Sequence, residues 1–305
     1  MSMRCQVVRP QQLLKSLAVL NISKDSWALM EFMEKSVELY VESPDRGCTA
    51  VAVLPQSLFS NYTSSGVRFS VHLGMLSSAL MLGGQGLLPS AGHMHIELVY
   101  PTDEARLLVE ITDGNVVLRS KLLTQRVMGM QLNLHFSNTR IVNEVMLLGD
   151  AARSAIEDLV MAQCLHTVVE LDPEKGVTLR GEGGPYSTVV VHIPNDSDAI
   201  LPTSNRRERA QTRVLQSHLA LVCGVRMGTK VWRNTSTSGL DLAGALSVNP
   251  GSGSGLPQPT FGGFERLLLQ INEARQLNVV HMTRDKEVPV TVTLVTSAMF
   301  DLDDM

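Results

Sequence analysis

Residues 66–84 read GVRFSVHLGMLSSALMLGG, and this stretch joins two kinds of secondary structure. Apolar and polar side chains alternate from Val67 to Val71, which is typical of a strand with one buried face. Leucines then recur at helical spacing over 73–82, and two glycines end the pattern. The stretch therefore predicts a strand that leads directly into a short helix.

The same alternation recurs through most of the chain. It predicts strands over 36–42, 67–73, 93–99, 106–111, 116–122, 130–136, 165–171, 187–193, 265–271, 275–282 and 289–296. Helical spacing predicts only two further helices, over 10–20 and 150–163. Because alternating strands bury one face and outnumber the helices, we expect an α+β protein built from antiparallel sheets.

A turn sequence that occurs twice suggests that the chain contains two similar domains. ESPDRG at 42–47 and LDPEKG at 171–176 each follow a predicted strand, and their matching positions lie 129 residues apart. Both sequences are typical of turns between strands. We therefore predict a first domain over 1–119 and a second domain over 131–305.

Two segments interrupt this organisation. Residues 120–130 lose the apolar periodicity, which suits a connector between the domains. Residues 249–263 are rich in Gly, Ser and Pro, a composition that cannot bury enough apolar surface to offset the entropy of ordering. We interpret this second segment as a disordered insertion within the second domain.

Composition and charge exclude several classes of protein. A hydrophobic content of 44% with 18% charged residues is typical of a globular chain rather than a disordered or fibrous one. No apolar run reaches the roughly 18 residues of a membrane span, and the first residues lack an apolar signal core. The four cysteines are widely spaced, so a reducing cytosol or nucleus is expected. The net charge of −4 argues against a surface that binds nucleic acid everywhere, although a local basic face remains possible.

No group of residues forms a recognisable catalytic or metal-binding motif. His93 and His95 project from one face of a predicted strand without a third ligand, and Asp196 with Asp198 follows Pro194 in a turn-like sequence. A solvated strand face and ordinary turn chemistry explain both pairs. We predict no catalytic residue, no metal site and no cofactor.

Three motifs, in order, resemble the sliding-clamp family of proliferating cell nuclear antigen. They are SVELYVESPDRGCTAVAVLPQSLFSNY at 36–62, GVRFSVHLGMLSSALMLGG at 66–84 and IPNDSD at 193–198. Within that family the chain is most similar to the Rad-one subunits of the nine-one-one DNA-damage checkpoint clamp. The resemblance covers residues 35–200 and 264–297, whereas 201–263 fits the family pattern poorly and leaves the fourth helix unplaced.

The resemblance implies a fold, a function and a set of partners. It implies two similar clamp domains with antiparallel sheets outside and short helices lining one face. The function implied is that of a non-catalytic subunit of a heterotrimeric ring that encircles double-stranded DNA in the nucleus. A clamp loader and two other clamp-like subunits are the implied partners. A DNA exonuclease and an unrelated β-rich interaction protein are the alternatives.

The implied contacts fall on named residues. Residues expected to face DNA phosphates are Lys15, Arg153, Arg226, Lys230 and Arg233. By position, the strands at 116–122 and 187–193 match the interface strands of the family, with Val116, Val117, Leu118, Val189, Val190 and Val191 at the subunit interface. The run of three valines would make an exposed edge prone to aggregation, which favours an obligate partner.

Overall fold

The computed structural model describes most of the chain. The described residues are 2–23, 25–82, 94–102, 104–126, 136, 139–185, 188–203, 208–227, 259–261, 264–283 and 288–299. They form two compact units, one of Met1–Leu134 with Met282–Thr293 and the other of His135–His281 with Leu294–Met305. Each unit contains antiparallel sheets and short helices, in agreement with the predicted α+β class.

The first half of the chain contains ten strands and two α-helices among its described residues. The strands are β1 (Met3–Val7), β2 (Trp27–Phe32), β3 (Ser36–Glu42), β4 (Cys48–Pro55), β5 (Phe59–Ser64), β6 (Val67–His72), β7 (Met94–Tyr100), β8 (Leu107–Asp113), β9 (Val116–Leu122) and β10 (Thr124–Gln125). The helices are α1 (Pro10–Leu20) and α2 (Leu73–Met81). The strands are ordered β5-β1-β7-β8-β9 in one sheet and β10-β6-β2-β3-β4 in another.

The second half repeats this arrangement. Its strands are β11 (Ile141–Leu148), β12 (His166–Asp172), β13 (Gly176–Glu182), β14 (Thr188–Pro194), β15 (Ile200–Leu201), β16 (Ala210–Leu215), β17 (Val225–Met227), β18 (Pro259–Phe261), β19 (Arg266–Asn272), β20 (Leu277–Met282) and β21 (Thr291–Thr296). Its helices are α3 (Gly149–Met161) and α4 (Gln216–Val222). The strand orders are β15-β11-β19-β20-β21 and β14-β13-β12-β16, with β17 and β18 paired separately.

The two halves share their element order, but the repeated turn is not the feature that relates them. Counting from each first strand, ESPDRG joins the third and fourth strands (β3 and β4), whereas LDPEKG joins the second and third (β12 and β13). Gly47 and Gly176 therefore lie at different places in the two sheets, and our prediction that these turns are equivalent is wrong. The repeat rests on the matching strand and helix order.

The segments predicted to separate and interrupt the domains differ from expectation. Residues 120–122 complete β9, and β10 at 124–125 pairs with β6, so strands extend into the stretch predicted as a connector. Within the predicted insertion at 249–263, residues 259–261 form β18 and pair with β17. The remainder of that insertion lies outside the described residues, as does most of the strand predicted over 130–136.

Apolar faces and local caps account for the helices. In α1, Leu17, Val19 and Leu20 are fully buried, and each such side chain contributes about 1.5–3 kcal/mol. Helix α2 begins where the Nδ1 of His72 accepts a hydrogen bond from the Met75 N–H at 3.3 Å. A cavity of about 10 Å³ beside α3 and α4 is lined by apolar atoms, so it offers no substrate-sized site. No helix in the described part of the chain is long and apolar enough to span a membrane.

The turn between β12 and β13 is closed by a carboxylate and a glycine. The Oδ1 of Asp172 accepts hydrogen bonds from the N–H groups of Glu174 (2.8 Å) and Lys175 (3.0 Å). These two bonds hold the pKa of Asp172 below its usual value, and the bond from the Lys175 N–H has the larger effect. Gly176 has a φ of +105°, and a Cβ there would overlap the backbone oxygen of Ile193 on β14. The turn thus fixes how closely β14 approaches β13.

Candidate functional site

Strand β14 ends its sheet, and the structure places the three predicted interface valines there. Its only neighbour in the described structure is β13, with which it pairs from Gly176↔Pro194 to Glu182↔Thr188. Val190 is 57% exposed, whereas Val189 and Val191 are half-buried. The valine run therefore lies on an uncovered sheet edge within the described residues.

The hydrogen bonding next to β14 shows which of its backbone groups face outward. The Asn195 N–H donates to the Lys175 oxygen at 3.2 Å, so these two residues form a hydrogen-bonded pair. Because bonded and non-bonded pairs alternate along an antiparallel ladder, Val191 bonds to Leu179 and Val190 does not bond to its opposite residue. The N–H and C=O of Val190 therefore point away from β13, towards the open edge.

Strand β9 ends the other sheet and carries the remaining predicted interface residues. Val116 and Val117 are 57% and 47% exposed, and Leu118 is half-buried. A two-residue turn that begins at Gly114 (φ +57°) closes the β8–β9 hairpin on Asp113 and Val116, which makes these two a hydrogen-bonded pair. Alternation then directs the backbone groups of Val117 and every second residue after it away from β8.

Ion pairs cover the outer face of the β9 sheet, which we define by Arg4, Glu97, Glu110, Arg119 and Lys121. Arg4 forms a bidentate pair with Glu97, its Nε 2.6 Å and its Nη2 2.9 Å from the two carboxylate oxygens. This pair raises the pKa of Arg4. Arg119 Nε lies 2.6 Å from Glu110 Oε2, so its charge is also compensated within the chain.

The charges beside β14 are arranged differently. Glu182 on β13 is shared by Arg180, at 3.0 Å, and Arg213, at 3.5 Å. On β14 itself, His192 Nδ1 lies 3.0 Å from Thr178 Oγ1, and none of its residues is Asp, Glu, Lys or Arg. The two edge strands therefore differ in charge, since β9 carries Arg119 and Lys121 whereas β14 has no Lys, Arg, Asp or Glu.

The predicted DNA-facing residues are placed to different degrees. Lys15 is half-exposed on α1. Arg153 lies on α3, where its Nε is 2.7 Å from the Glu157 carboxylate one turn away. The backbone of Arg226 lies in β17, whereas its side chain and the residues Lys230 and Arg233 lie outside the description.

The surfaces of the four described helices are not strongly basic. Helices α1 and α3 carry Lys15 and Arg153, respectively, whereas α2 and α4 contain no lysine or arginine. Against these two cations stand the carboxylates of Asp150, Glu157 and Asp158 on α3. Any strong attraction to phosphates must therefore come from outside these four helices.

The polar pairs considered as metal ligands do not come together with further ligands. His95 bonds to Gln6 through Nδ1 at 2.6 Å, and His93 lies outside the described residues. Asp196 and Asp198 are exposed in the turn after β14. Among the residues that the structure describes, no three His, Cys, Asp or Glu side chains form a cluster suited to a metal ion.

Sequence reasoning predicted helices α2 and α3 but not that they lie beside the edge strands. Helix α2 packs against β8 and β9, and its Met75 is 56% exposed. Helix α3 packs against β14, and its Met161 is 48% exposed. The signal was present, because each methionine lies off the buried apolar face of its helix, but the sequence does not show which strand lies beside it.

The fold has close counterparts among solved structures. Proliferating cell nuclear antigen from Thermococcus kodakaraensis superposes with a TM-score of 0.69 at 14% identity, covering 97% of this chain and 100% of that one. The PCNA2–PCNA3 complex from Sulfolobus tokodaii gives 0.67 at 10% identity, covering 97% and 98%. These similarities confirm the predicted sliding-clamp fold.

Sequence comparison identifies the family. No curated protein matches the chain. Residues 3–248, however, match the family described as repair protein Rad1/Rec1/Rad17, which extends over most of the sequence and includes both edge strands. The chain therefore belongs to the Rad1/Rec1/Rad17 family of repair proteins and has the fold of a DNA sliding clamp.

Proposed function

We propose that this chain is a non-catalytic subunit of a heterotrimeric ring that encircles double-stranded DNA and serves as a platform in the nuclear DNA-damage checkpoint and repair. Two other clamp-like subunits complete the ring, and a clamp loader opens it. The observation that carries the proposal is that β9 and β14 are edge strands of a clamp fold, with no further strand paired to them among the described residues.

Each edge strand is suited to continue its sheet into a neighbouring protein. On β14, the outward N–H groups belong to Thr188, Val190 and His192, and on β9 to Val117, Arg119 and Lys121. Pairing with a partner strand would satisfy these groups and cover the exposed valines. The full ladder supplies about 0.5–1.5 kcal/mol for each hydrogen bond, in addition to apolar burial.

Encirclement needs few attractive contacts with DNA. A closed ring remains on the duplex because it surrounds it, so weak phosphate contacts are sufficient and permit sliding. Helices without a strong positive charge are compatible with this role. Lys15 is the described side chain that we expect to contribute most to phosphate contact, since Glu157 already pairs with Arg153.

No observation favours the exonuclease alternative. Two-metal nuclease chemistry needs several carboxylates that hold metal ions about 4 Å apart. Asp196 and Asp198 lie in an exposed turn without a third described ligand beside them.

The topology of DNA binding tests the proposal. The assembly would be purified from its own cells through a tag on this chain and loaded with clamp loader and ATP onto a nicked circular plasmid. We expect the assembly to stay on the circle at high salt and to be released when a restriction enzyme linearises the plasmid. Blocking both ends of the linear DNA with biotin–streptavidin should restore retention.

Two results would contradict the proposal. Equal retention on circular and unblocked linear DNA would show binding without encirclement. Recovery of this chain without any clamp-like partner would contradict the proposed heterotrimer.

A further inference from the structure

Lys121 is a cation on the edge strand β9 whose charge no described residue compensates. Its side chain is exposed on the outer face of the sheet, and it makes no ion pair with any residue that the structure describes. Its opposite residue on β8 is Leu108. The other cation of the strand, Arg119, is already held by Glu110. Lys121 is therefore the charge that a strand added to β9 would meet.

The edge strand β14 of this same chain does not supply a matching anion. It contains no carboxylate, and Glu182, which lies opposite Thr188 on the neighbouring strand β13, is already within 3.5 Å of the two guanidinium groups of Arg180 and Arg213. A second copy that placed its β14 against β9 would bring Lys121 to a neutral edge backed by arginines. Such pairing places no carboxylate of β14 itself opposite Lys121, so it gains no ion pair from the residues of that strand.

We propose that the occupant of β9 is an edge strand of a different protein that presents a carboxylate opposite Lys121 and apolar side chains opposite the valines. This inference rests on the proposed function, because it assigns partner chemistry to one of the two ring interfaces. The carboxylate lies on the outer face, and the main-chain bonds form with the outward groups of Val117, Arg119 and Lys121.

The geometry of a β-ladder makes this requirement specific. Side chains directly opposite on neighbouring antiparallel strands have Cβ atoms about 4.5–5.5 Å apart, within reach of an ion pair. A one-residue slip would move the carboxylate to the face that carries Leu118 and Leu122, where it would be buried without a partner. The charge of Lys121 therefore selects both the partner strand and its register.

Two matched peptides test the proposal on the full chain. Both are head-to-tail cyclic hairpins, one with the edge sequence Val-Glu-Val-Glu-Val and the other with Val-Lys-Val-Lys-Val, and each carries a fluorophore for anisotropy at low salt. We expect the glutamate hairpin to bind about tenfold more tightly, and the ratio to shrink as salt rises. Lys121→Glu should reverse the preference, whereas Lys35→Glu, an exposed lysine between β2 and β3, should not.

A further variant separates failure of this inference from failure of the proposed ring. Val117→Pro removes an outward N–H and should abolish binding of either hairpin without unfolding the chain. If both hairpins bind equally and Val117→Pro abolishes their binding, the acidic partner is overturned but β9 is still supported as a ring interface. Binding of neither hairpin would overturn the acidic partner and also remove β9 as an interface. A different result would be that the chain alone forms a homo-oligomer that Val117→Pro and Val190→Pro each dissociate. That result would identify β14 as the occupant of β9 and overturn the inference.

Discussion

Replacing Val190 with proline is expected to separate assembly from folding. The Val190 N–H points away from β13, so its loss breaks no hydrogen bond within the hairpin. Proline is tolerated on an edge strand at such a position, and Pro194 already occupies one on the same strand. We therefore expect the free energy of unfolding of the isolated chain to change by no more than about 1 kcal/mol.

The same substitution should weaken the assembly strongly. A partner strand would lose one hydrogen bond, of about 0.5–1.5 kcal/mol, and would bury an acceptor without a donor, at about 1–3 kcal/mol more. The sum, about 1.5–4.5 kcal/mol, corresponds to a dissociation constant about 10- to 1,600-fold higher. The proline ring would add a steric clash with the partner backbone.

The assay compares thermal unfolding of the isolated chain with recovery of partners through a tag. Val191→Pro is the matched control, because the Val191 N–H bonds to Leu179 on β13 and its loss should destabilise the chain itself. If Val190→Pro keeps all partners at the original stoichiometry, β14 is not a subunit interface. If it unfolds the chain as strongly as Val191→Pro, the assignment of outward backbone groups is wrong.

Three further predictions follow from individual contacts. Lys15→Gln should lower the slope of log affinity for DNA against log salt by about 0.9 in the assembled ring, whereas Arg153→Gln should change it less because Glu157 already pairs with Arg153. Gly176→Ala should lower the free energy of unfolding by about 2 kcal/mol or more in a denaturant titration, because a Cβ at positive φ would overlap the β14 backbone. Asp172 has a lowered pKa in the folded chain, so its stabilisation is present above about pH 3.9 and is lost as pH falls through the folded pKa; Asp172→Asn should flatten the acid limb of a melting-temperature profile.

Several strands with one buried face were predicted from the sequence almost to the residue, although β1 and β16 alternate in the same way and were not predicted. Strand β9 has the predicted bounds of 116–122, and β3 has those of 36–42. Both expose alternate side chains, so the polar positions mark the period directly. Helix α1 was predicted over its full length for the matching reason, since its leucines follow the helical period.

Strands buried on both faces left no such period. Strand β4 reads CTAVAVLP and has buried residues on both faces, and β2 reads WALMEF with three successive buried residues. A continuous apolar run does not distinguish a strand from a buried helix. The predicted equivalence of the two turns failed for another reason, because Pro-Asp-Arg-Gly and Pro-Glu-Lys-Gly are common wherever two strands reverse, whichever strands they are.

The candidate interfaces were predictable as segments but not as surfaces. Three valines in succession indicate a strand, and the sequence alone suggested that β14 would be exposed. Which backbone groups face outward depends on the pairing register with β13, which the sequence does not contain. In the same way, Arg119 and Lys121 look alike in the sequence, and only the position of Glu110 opposite Arg119 leaves Lys121 as the cation that selects a partner.

A clamp can be held on DNA by attraction to phosphates or by closure of its ring, and this chain is better suited to closure. The described helices carry two cations, so they supply at most about two phosphate contacts. So few contacts change affinity for DNA only slightly at physiological salt, because exposed charges are screened within about 8 Å. Under the proposed function, retention on DNA therefore depends on closure at β9 and β14 rather than on attraction by the helices. Disruption of an edge strand should release the ring from circular DNA even where Lys15 is intact, and the linearisation experiment measures that difference directly.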